Sequence, residues 1–170
     1  MKVKGEITML EHSQTIRAEL LNEVKNMTDE QLNRKPSPDV WSPGQILEHL
    51  YLMERVITGG MKQVLMSGEK KNVSEKPLEL VIDRSRKVPA PENLKPAEGP
   101  YVKDELLSKL ENSRRELINF AETAPEQDLN EKAMKHPHLG DLSLKQWVEF
   151  IGYHEKRHLL QLTEVKSAAY

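Results

Sequence analysis

Two histidines, His154 and His158, lie four residues apart in the last segment of the chain that has helical periodicity. Residues at this spacing share one face of an α-helix. The apolar residues of the segment recur at spacings of three, four and seven on the same face: Trp147, Val148, Ile151, Leu162 and Val165. The two imidazoles therefore stand in an apolar stripe, where leucines are expected. A shared metal ion is the most economical explanation for such a pair.

Length and composition predict one domain, residues 1–170, with a core of its own. The net charge is -2 and no segment is strongly basic, so neither nucleic acid nor an anionic membrane is an expected partner. Cysteine is absent, which excludes disulfides, thiolate metal ligands and a cysteine nucleophile. Residues 1–9 lack the apolar core of a signal peptide, and no run has the length of a transmembrane helix. The expected location is the cytoplasm.

The first predicted helix begins at a capping-box pattern formed by Thr8 and Glu11 and runs to about Met27. Its apolar stripe is interrupted by Gln14 and Arg17. These two side chains are candidates to line a pocket inside the bundle. The alternative, which the pattern favours, is that the stripe rotates and leaves them in solvent.

The second predicted helix has the strongest start signal in the chain. Ser42 is the N-cap, Pro43 takes the first helical position, and Gln45 completes a capping box. The helix ends near Gly68. His49 lies on its apolar face, together with Ile46, Leu47, Leu50, Met53, Ile57, Met61, Val64 and Leu65.

Residues 68–100 form a long connection with five prolines and many charges. Leu78–Ile82 is predicted to be a short extended piece within it. A connection of this length inside one domain is unusual. The flanking helices are too few for two cores, so the segment is interpreted as a crossover that runs along a helix bundle.

Two further helices complete the pattern. The third runs from about Val102 to Ala121, and residues 122–142 form a connector. Ser143 and Gln146 make a last capping box, which opens the fourth helix. Four amphipathic helices and no convincing strand predict an all-α fold, a four-helix bundle.

The order and length of the connections predict an up-down-down-up bundle. The short connector makes the first two helices antiparallel, and the long crossover lets the second and third run parallel. His49 lies roughly 10 Å into the second helix, and the histidine pair lies roughly 10–15 Å from the end of the fourth, at 1.5 Å per residue. These heights coincide if the two helices are antiparallel neighbours. Three imidazoles are therefore predicted to meet.

Three neutral imidazoles with an open fourth position are typical of catalytic zinc sites. The same ligands also suit nickel, iron or copper. Each ligand histidine needs an acceptor for its second ring N–H, and Gln45 and Gln161 are at suitable spacings. His136 or His138 would be the candidates to close the site as a fourth ligand. The alternative, three unrelated core histidines bonded to carbonyls, explains each one singly but not their convergence.

The segment 154–158 also satisfies the H-E-x-x-H pattern of zinc metalloproteases, with Glu155 as general base. The extended form of that pattern needs a further histidine at 164, where this chain has Glu164. A peptidase therefore lacks its downstream ligand, and the sequence disfavours it. Glu155 remains a candidate base, although a solvated glutamate on the helix surface is the preferred interpretation.

Two motifs carry a family resemblance that covers nearly the whole chain. The first is Val40-Trp41-Ser42-Pro43-Gly44-Gln45-Ile46-Leu47-Glu48-His49-Leu50, and the second is the run from His136 through Trp147 to the 153–158 segment and Gln161. In this order and spacing they resemble the DinB-like family of bacterial metal-binding four-helix bundles. The resemblance implies an up-down-down-up bundle, often a homodimer, with a divalent metal ion, commonly nickel or zinc. By resemblance, the metal ligands are His49, His154 and His158.

Related members include metal-dependent hydrolases and S-transferases that use low-molecular-weight thiols such as bacillithiol. The resemblance therefore implies an enzyme that acts on a small molecule, and a transfer reaction would need an external thiol. The alternative from another class is a metal-binding, stress-related module without turnover. Gln14, Arg17, Gln161 and Glu155 are the polar candidates to line such a site.

Overall fold

The four long helices begin within three residues of the predicted positions. The computed structural model describes residues 8–169. Its helices are α1 (Glu11–Val24), α2 (Asp29–Asn33), α3 (Pro43–Ser67), α4 (Lys103–Thr123), α5 (Glu126–Glu131) and α6 (Leu144–Ala169), and its strands are β1 (Ala133–His136) and β2 (Gly140–Ser143). No helix in this range has the length and hydropathy to cross a membrane.

Reciprocal capping boxes fix two of the long helices. In the Ser42–Gln45 box at α3 and the Ser143–Gln146 box at α6, each serine oxygen accepts from the glutamine N–H, and each glutamine oxygen accepts from the serine N–H. A third box, at Thr28, opens the short α2. At α1, the Glu11 side chain accepts from the N–H of Thr8, but the N-cap is Leu10 and the helix ends at Val24, three residues earlier than predicted.

Contacts between the long helices confirm the predicted four-helix bundle and its directions. In contacts between α1 and α6, and between α3 and α4, the residue numbers on both helices increase together, so each pair is parallel. In contacts between α1 and α4 one number increases as the other decreases, so these two helices are antiparallel. The contacts are Glu19–Lys156, Glu23–Lys166, Glu48–Lys109, Lys62–Glu116, Arg17–Leu110 and Arg114–Ser13. Helices α3 and α6 are therefore antiparallel neighbours, and the order is up-down-down-up.

The apolar core has two parts, one toward each end of the bundle. One part includes Leu20, Ile46, Leu47, Leu106 and Leu162, and the other includes Met61, Leu117, Leu142, Leu144 and Val148, all at most 1% exposed. Between the two parts, a layer of buried polar side chains crosses the bundle at mid-height. The candidate site lies on one side of this layer.

The crossover lies along α6 and contains two short 3-10 helices, Leu78–Ile82 and Glu92–Leu94. The prediction of an extended piece at 78–82 was therefore wrong: the N–H groups of Leu80 and Asp83 donate to the carbonyls of Pro77 and Leu80, which closes 3-10 turns. Arg157 of α6 holds this part of the crossover by donating to three main-chain carbonyls, those of Val81, Asp83 and Arg86.

The connector 122–142 contains the short helix α5 and a two-stranded antiparallel hairpin. The prediction that the chain has no strand was wrong here. Each strand has only four residues, and such a hairpin is stable only when packed on other elements. Trp147 of α6 provides this support, since its indole N–H donates to the Met134 carbonyl at 2.8 Å. The turn closes at Gly140, whose φ is +75°.

Candidate metal centre

The three predicted histidines converge between α3 and α6. Their ligand-capable nitrogens all lie within 4.8 Å of one another. The Nε2 atoms of His154 and His158 are 3.1 Å apart. Two nitrogens on one tetrahedral zinc ion would be about 3.3 Å apart, given Zn–N bonds of about 2.0–2.1 Å. The geometry of the pair therefore suits two ligands of one ion.

His49 is oriented by the crossover. Its Nδ1 lies 2.8 Å from the carbonyl oxygen of Leu94, which can only accept, so Nδ1 carries the proton and Nε2 keeps its lone pair. The predicted acceptor, Gln45, does not have this role. Its side chain closes the capping box of α3 and donates to the Ala97 carbonyl at 3.3 Å. A main-chain carbonyl from a distant segment leaves no side-chain signal in the sequence.

His158 is oriented from its own helix. The Gln161 Oε1 atom lies 2.7 Å from His158 Nδ1, one turn along α6. If the amide oxygen accepts from Nδ1–H, Nε2 of His158 is again left with its lone pair. Both histidines therefore turn the ligand-capable nitrogen toward the same centre.

Burial lowers the pKa of all three imidazoles. The pKa of His158 falls to about 3, because the ring is buried and His49 is beside it. Burial, with His158 and His49 as further causes, holds the pKa of His154 well below its ordinary value. The pKa of His49 is lowered by burial, although the Leu94 carbonyl opposes this. The triad is thus neutral near pH 7, as metal ligation requires.

Aromatic rings surround the triad. Trp41 packs on His49 and His158, with ring centroids 5.0 and 6.4 Å away, and Phe150 stacks on His154 at 5.7 Å. A cavity of about 10 Å³, at the lower limit of what holds one water molecule, lies beside His154. The sequence did not identify Trp41 or Phe150 as site residues, because Trp41 lies in the loop before α3 and Phe150 has the buried position of a core residue of α6.

The hairpin histidines are not part of the converging group. His136 Nδ1 accepts from the main-chain N–H groups of His138 and Leu139, both at 3.1 Å, and its ring packs on Phe150 at 4.9 Å. Its lone pair at Nδ1 is thus used within the turn. Within residues 8–169, the group of potential ligands at the centre consists of the three helical histidines.

The structure places the remaining predicted residues away from the converging nitrogens. Glu155 and Arg17 are 2% and 7% exposed, so the prediction that they are solvated was wrong. Gln14 is exposed, which confirms the prediction that its side chain lies in solvent. Glu155 accepts from Arg17 Nε and Arg114 Nη2, both at 2.5 Å. Arg114 also donates to Glu54. Each of the four long helices thus supplies one member of a buried charge network.

We expect the metal-free protein to lose stability as pH falls from about 7 to 5. The triad pKa values are lower in the folded chain than the ordinary value of about 6.5. The unfolded chain therefore binds more protons in this range. As the pH is lowered, the free energy of unfolding decreases by on the order of 1 kcal/mol per pH unit for each such histidine. Urea unfolding after chelation measures this slope. His158→Gln should make it shallower, and an unchanged slope would contradict the prediction.

Comparisons with known proteins agree with the fold. The family model of the DinB superfamily matches residues 13–162. The uncharacterized protein YuaE of Bacillus subtilis (strain 168) is 37% identical over 150 residues, which cover 88% of this chain and 92% of that protein. The crystal structure of TT2238, a four-helix bundle protein, has a TM-score of 0.63 at 19% identity, covering 92% of this chain and 96% of that chain.

Proposed function

Because the chain belongs to the DinB superfamily, we propose that its three converging histidines bind one divalent metal ion and that the protein is a metal-dependent enzyme acting on a small molecule. The observation that carries this proposal is the pair of Nε2 atoms 3.1 Å apart, with the third imidazole beside them. The acceptors behind His49 and His158 favour the tautomer that a metal ligand needs. Zinc and nickel are the proposed ions, since both accept nitrogen ligands.

A bound ion would supply Lewis-acid chemistry to a group that occupies its fourth position. The protein contributes a partly apolar wall, in which Trp41 and Phe150 limit water around the ligands. Among residues 8–169, the carboxylates that line the small cavity beside His154 are those of Glu54 and Glu155. Both are held by arginines, so neither is free to take a proton from a reacting water.

This arrangement argues against the peptidase suggested by the H-E-x-x-H pattern. The glutamate of that pattern must act as a base beside the metal. Glu155 instead accepts from two guanidinium groups in the interior of the bundle. A nucleophile that ionises more readily than water, such as a thiol with a pKa near 8.5, needs less help from a protein base. Because the chain has no cysteine, the thiol must come from outside.

We therefore propose transfer of a low-molecular-weight thiol to an electrophilic small molecule, with hydrolysis as the second candidate. In the transfer, the thiol loses its proton to solvent, its sulfur forms a bond to the electrophilic carbon, and the leaving group of the electrophile departs with its bonding electrons, as chloride does from chlorodinitrobenzene. We expect the metal-loaded protein to accelerate consumption of an electrophile only when a thiol is added. The assay uses a panel of thiols with chlorodinitrobenzene as electrophile, with zinc- or nickel-loaded and chelated protein.

The controls for this assay separate three functions. Turnover without thiol, in an ester panel, would favour hydrolysis. Metal binding without turnover in either panel would favour the alternative, a metal-binding module. Absence of metal binding would contradict the proposal itself. His49→Ala protein should show only the background rate in both panels.

A further inference from the structure

The side of the bundle between α1 and α4 contains an open groove of about 640 Å³. This volume is in the range of about 300–1,000 Å³ found for small-molecule sites. Its apolar lining includes Leu21, Leu107 and Ile118, and Leu21 is 38% exposed. None of the three converging histidines lines this groove. It is therefore distinct from the proposed metal centre.

The buried charge network has different groups on its two sides. The residues that line the groove include Arg17 and Arg114. Those that line the small cavity beside His154 include Glu54 and Glu155. Both arginines are only 7% exposed. The groove thus has buried hydrogen-bond donors at its base, whereas the carboxylates lie on the far side.

Some of these donors are not used by the protein. Arg17 donates through Nε to Glu155, through Nη1 to the Leu110 carbonyl, and through Nη2 to both carboxylates. Arg114 makes one hydrogen bond from each of its three nitrogens. A guanidinium has five N–H groups. Within the described part of the chain, one N–H of Arg17 and two of Arg114 therefore make no hydrogen bond, and both side chains line the groove.

The charges of the side chains in the network and along the groove favour an uncharged acceptor over an anionic one. The network already pairs two arginines with two glutamates, and at the groove Arg115 is paired with Glu111, which leaves Asp104 unbalanced. An additional buried carboxylate would lack a counter-charge. We propose that the groove binds an uncharged amphipathic small molecule. Its carbonyl or amide oxygen accepts from the two guanidiniums, and its apolar part packs on the leucine and isoleucine side chains.

The test compares octanamide with octanoate, which have the same chain and differ in head-group charge. Each is titrated into 15N-labelled protein, with and without chelator. Octanamide should give saturable chemical-shift changes at the main-chain amides of Leu107 and Ile118. Its dissociation constant should be at least tenfold lower than that of octanoate. The shifts should persist after chelation, because the groove does not include the metal ligands.

A variant that fills the groove completes the test. Ser108→Trp places an indole at an exposed groove position without altering the core, and Leu160→Trp is the matched change on α6, outside the groove. Only Ser108→Trp should abolish octanamide binding. The proposal is overturned if octanamide does not saturate, if octanoate binds as tightly, or if both variants behave alike. It is also overturned if sedimentation shows a dimer that Ser108→Trp dissociates, because a second copy would then cover the groove.

Discussion

His49→Ala protein is expected to lose at least 100-fold in affinity for zinc or nickel. Loss of an acceptor behind a ligand typically costs about 10–100-fold, and loss of the ligand itself should cost more. Only two imidazoles would remain, both on α6. Titration calorimetry with competing chelators, and metal analysis of the purified protein, measure this change. The wild-type protein should carry close to one ion per chain.

Two variants serve as controls for that result. His12→Ala removes an imidazole that packs on Tyr153, 4.6 Å away, and that lies outside the converging group. It should keep wild-type affinity. Gln161→Ala should give an intermediate loss, since it removes only the acceptor behind His158. Full retention of metal by His49→Ala would show that His49 is not a ligand.

Metal binding should also raise the melting temperature of the wild-type protein, because an ion that binds only the folded state stabilises it by about 2.7 kcal/mol at a concentration of 100 Kd. The same addition should have little effect on His49→Ala. This comparison separates loss of the site from loss of the fold.

Glu155→Ala protein is expected to be destabilised by about 3–5 kcal/mol, since removing one partner of a buried ion pair leaves an uncompensated charge. Two guanidinium groups, from α1 and α4, would lose the carboxylate that each contacts at 2.5 Å. The cost includes the buried N–H groups of Arg17 Nε and Arg114 Nη2, for which Glu155 is the acceptor. Urea unfolding, followed by circular dichroism, measures the free energy of unfolding.

The matched control is Glu164→Ala. Glu164 also belongs to α6 and also pairs with an arginine, Arg84, but it is 62% exposed. An exposed pair contributes only about 0–1 kcal/mol. Similar losses in the two variants would contradict a specific role for the buried network.

The helices and the meeting of the three histidines could be predicted, because both depend on information that is local in sequence. A capping box marks where α3 begins, and helical rise then gives the height of His49 from that start and of the histidine pair from the end of α6. The crossover length restricts the directions of the helices. These three quantities are enough to bring His49 to the level of the pair on α6.

The buried charge network could not be predicted in the same way. Whether Arg17 meets Glu155 depends on how far each helix is rotated about its own axis. Charged residues in an amphipathic pattern usually indicate the solvent side. In this chain a residue of opposite charge stands opposite each buried one, on a different helix, and no local pattern reveals that pairing.

The hairpin and the acceptor behind His49 were missed for related reasons. Strands β1 and β2 are short, and they depend on a hydrogen bond from Trp147 that belongs to the next helix. The Leu94 carbonyl lies 45 residues from His49 in sequence. Contacts between residues that are distant in sequence form only in the folded chain and produce no periodic pattern in the sequence.

The way in which the crossover is attached has a consequence for how its sequence can change. Arg157, His49 and Gln45 all hold it through peptide oxygens, those of residues 81, 83, 86, 94 and 97. Every amino acid has a main-chain carbonyl oxygen, so these hydrogen bonds do not depend on which side chain is present at the accepting residue. Apart from the buried Leu78 and Leu94, side chains of the segment can therefore be replaced without loss of these hydrogen bonds, and its outer surface can change while its path over α6 is kept.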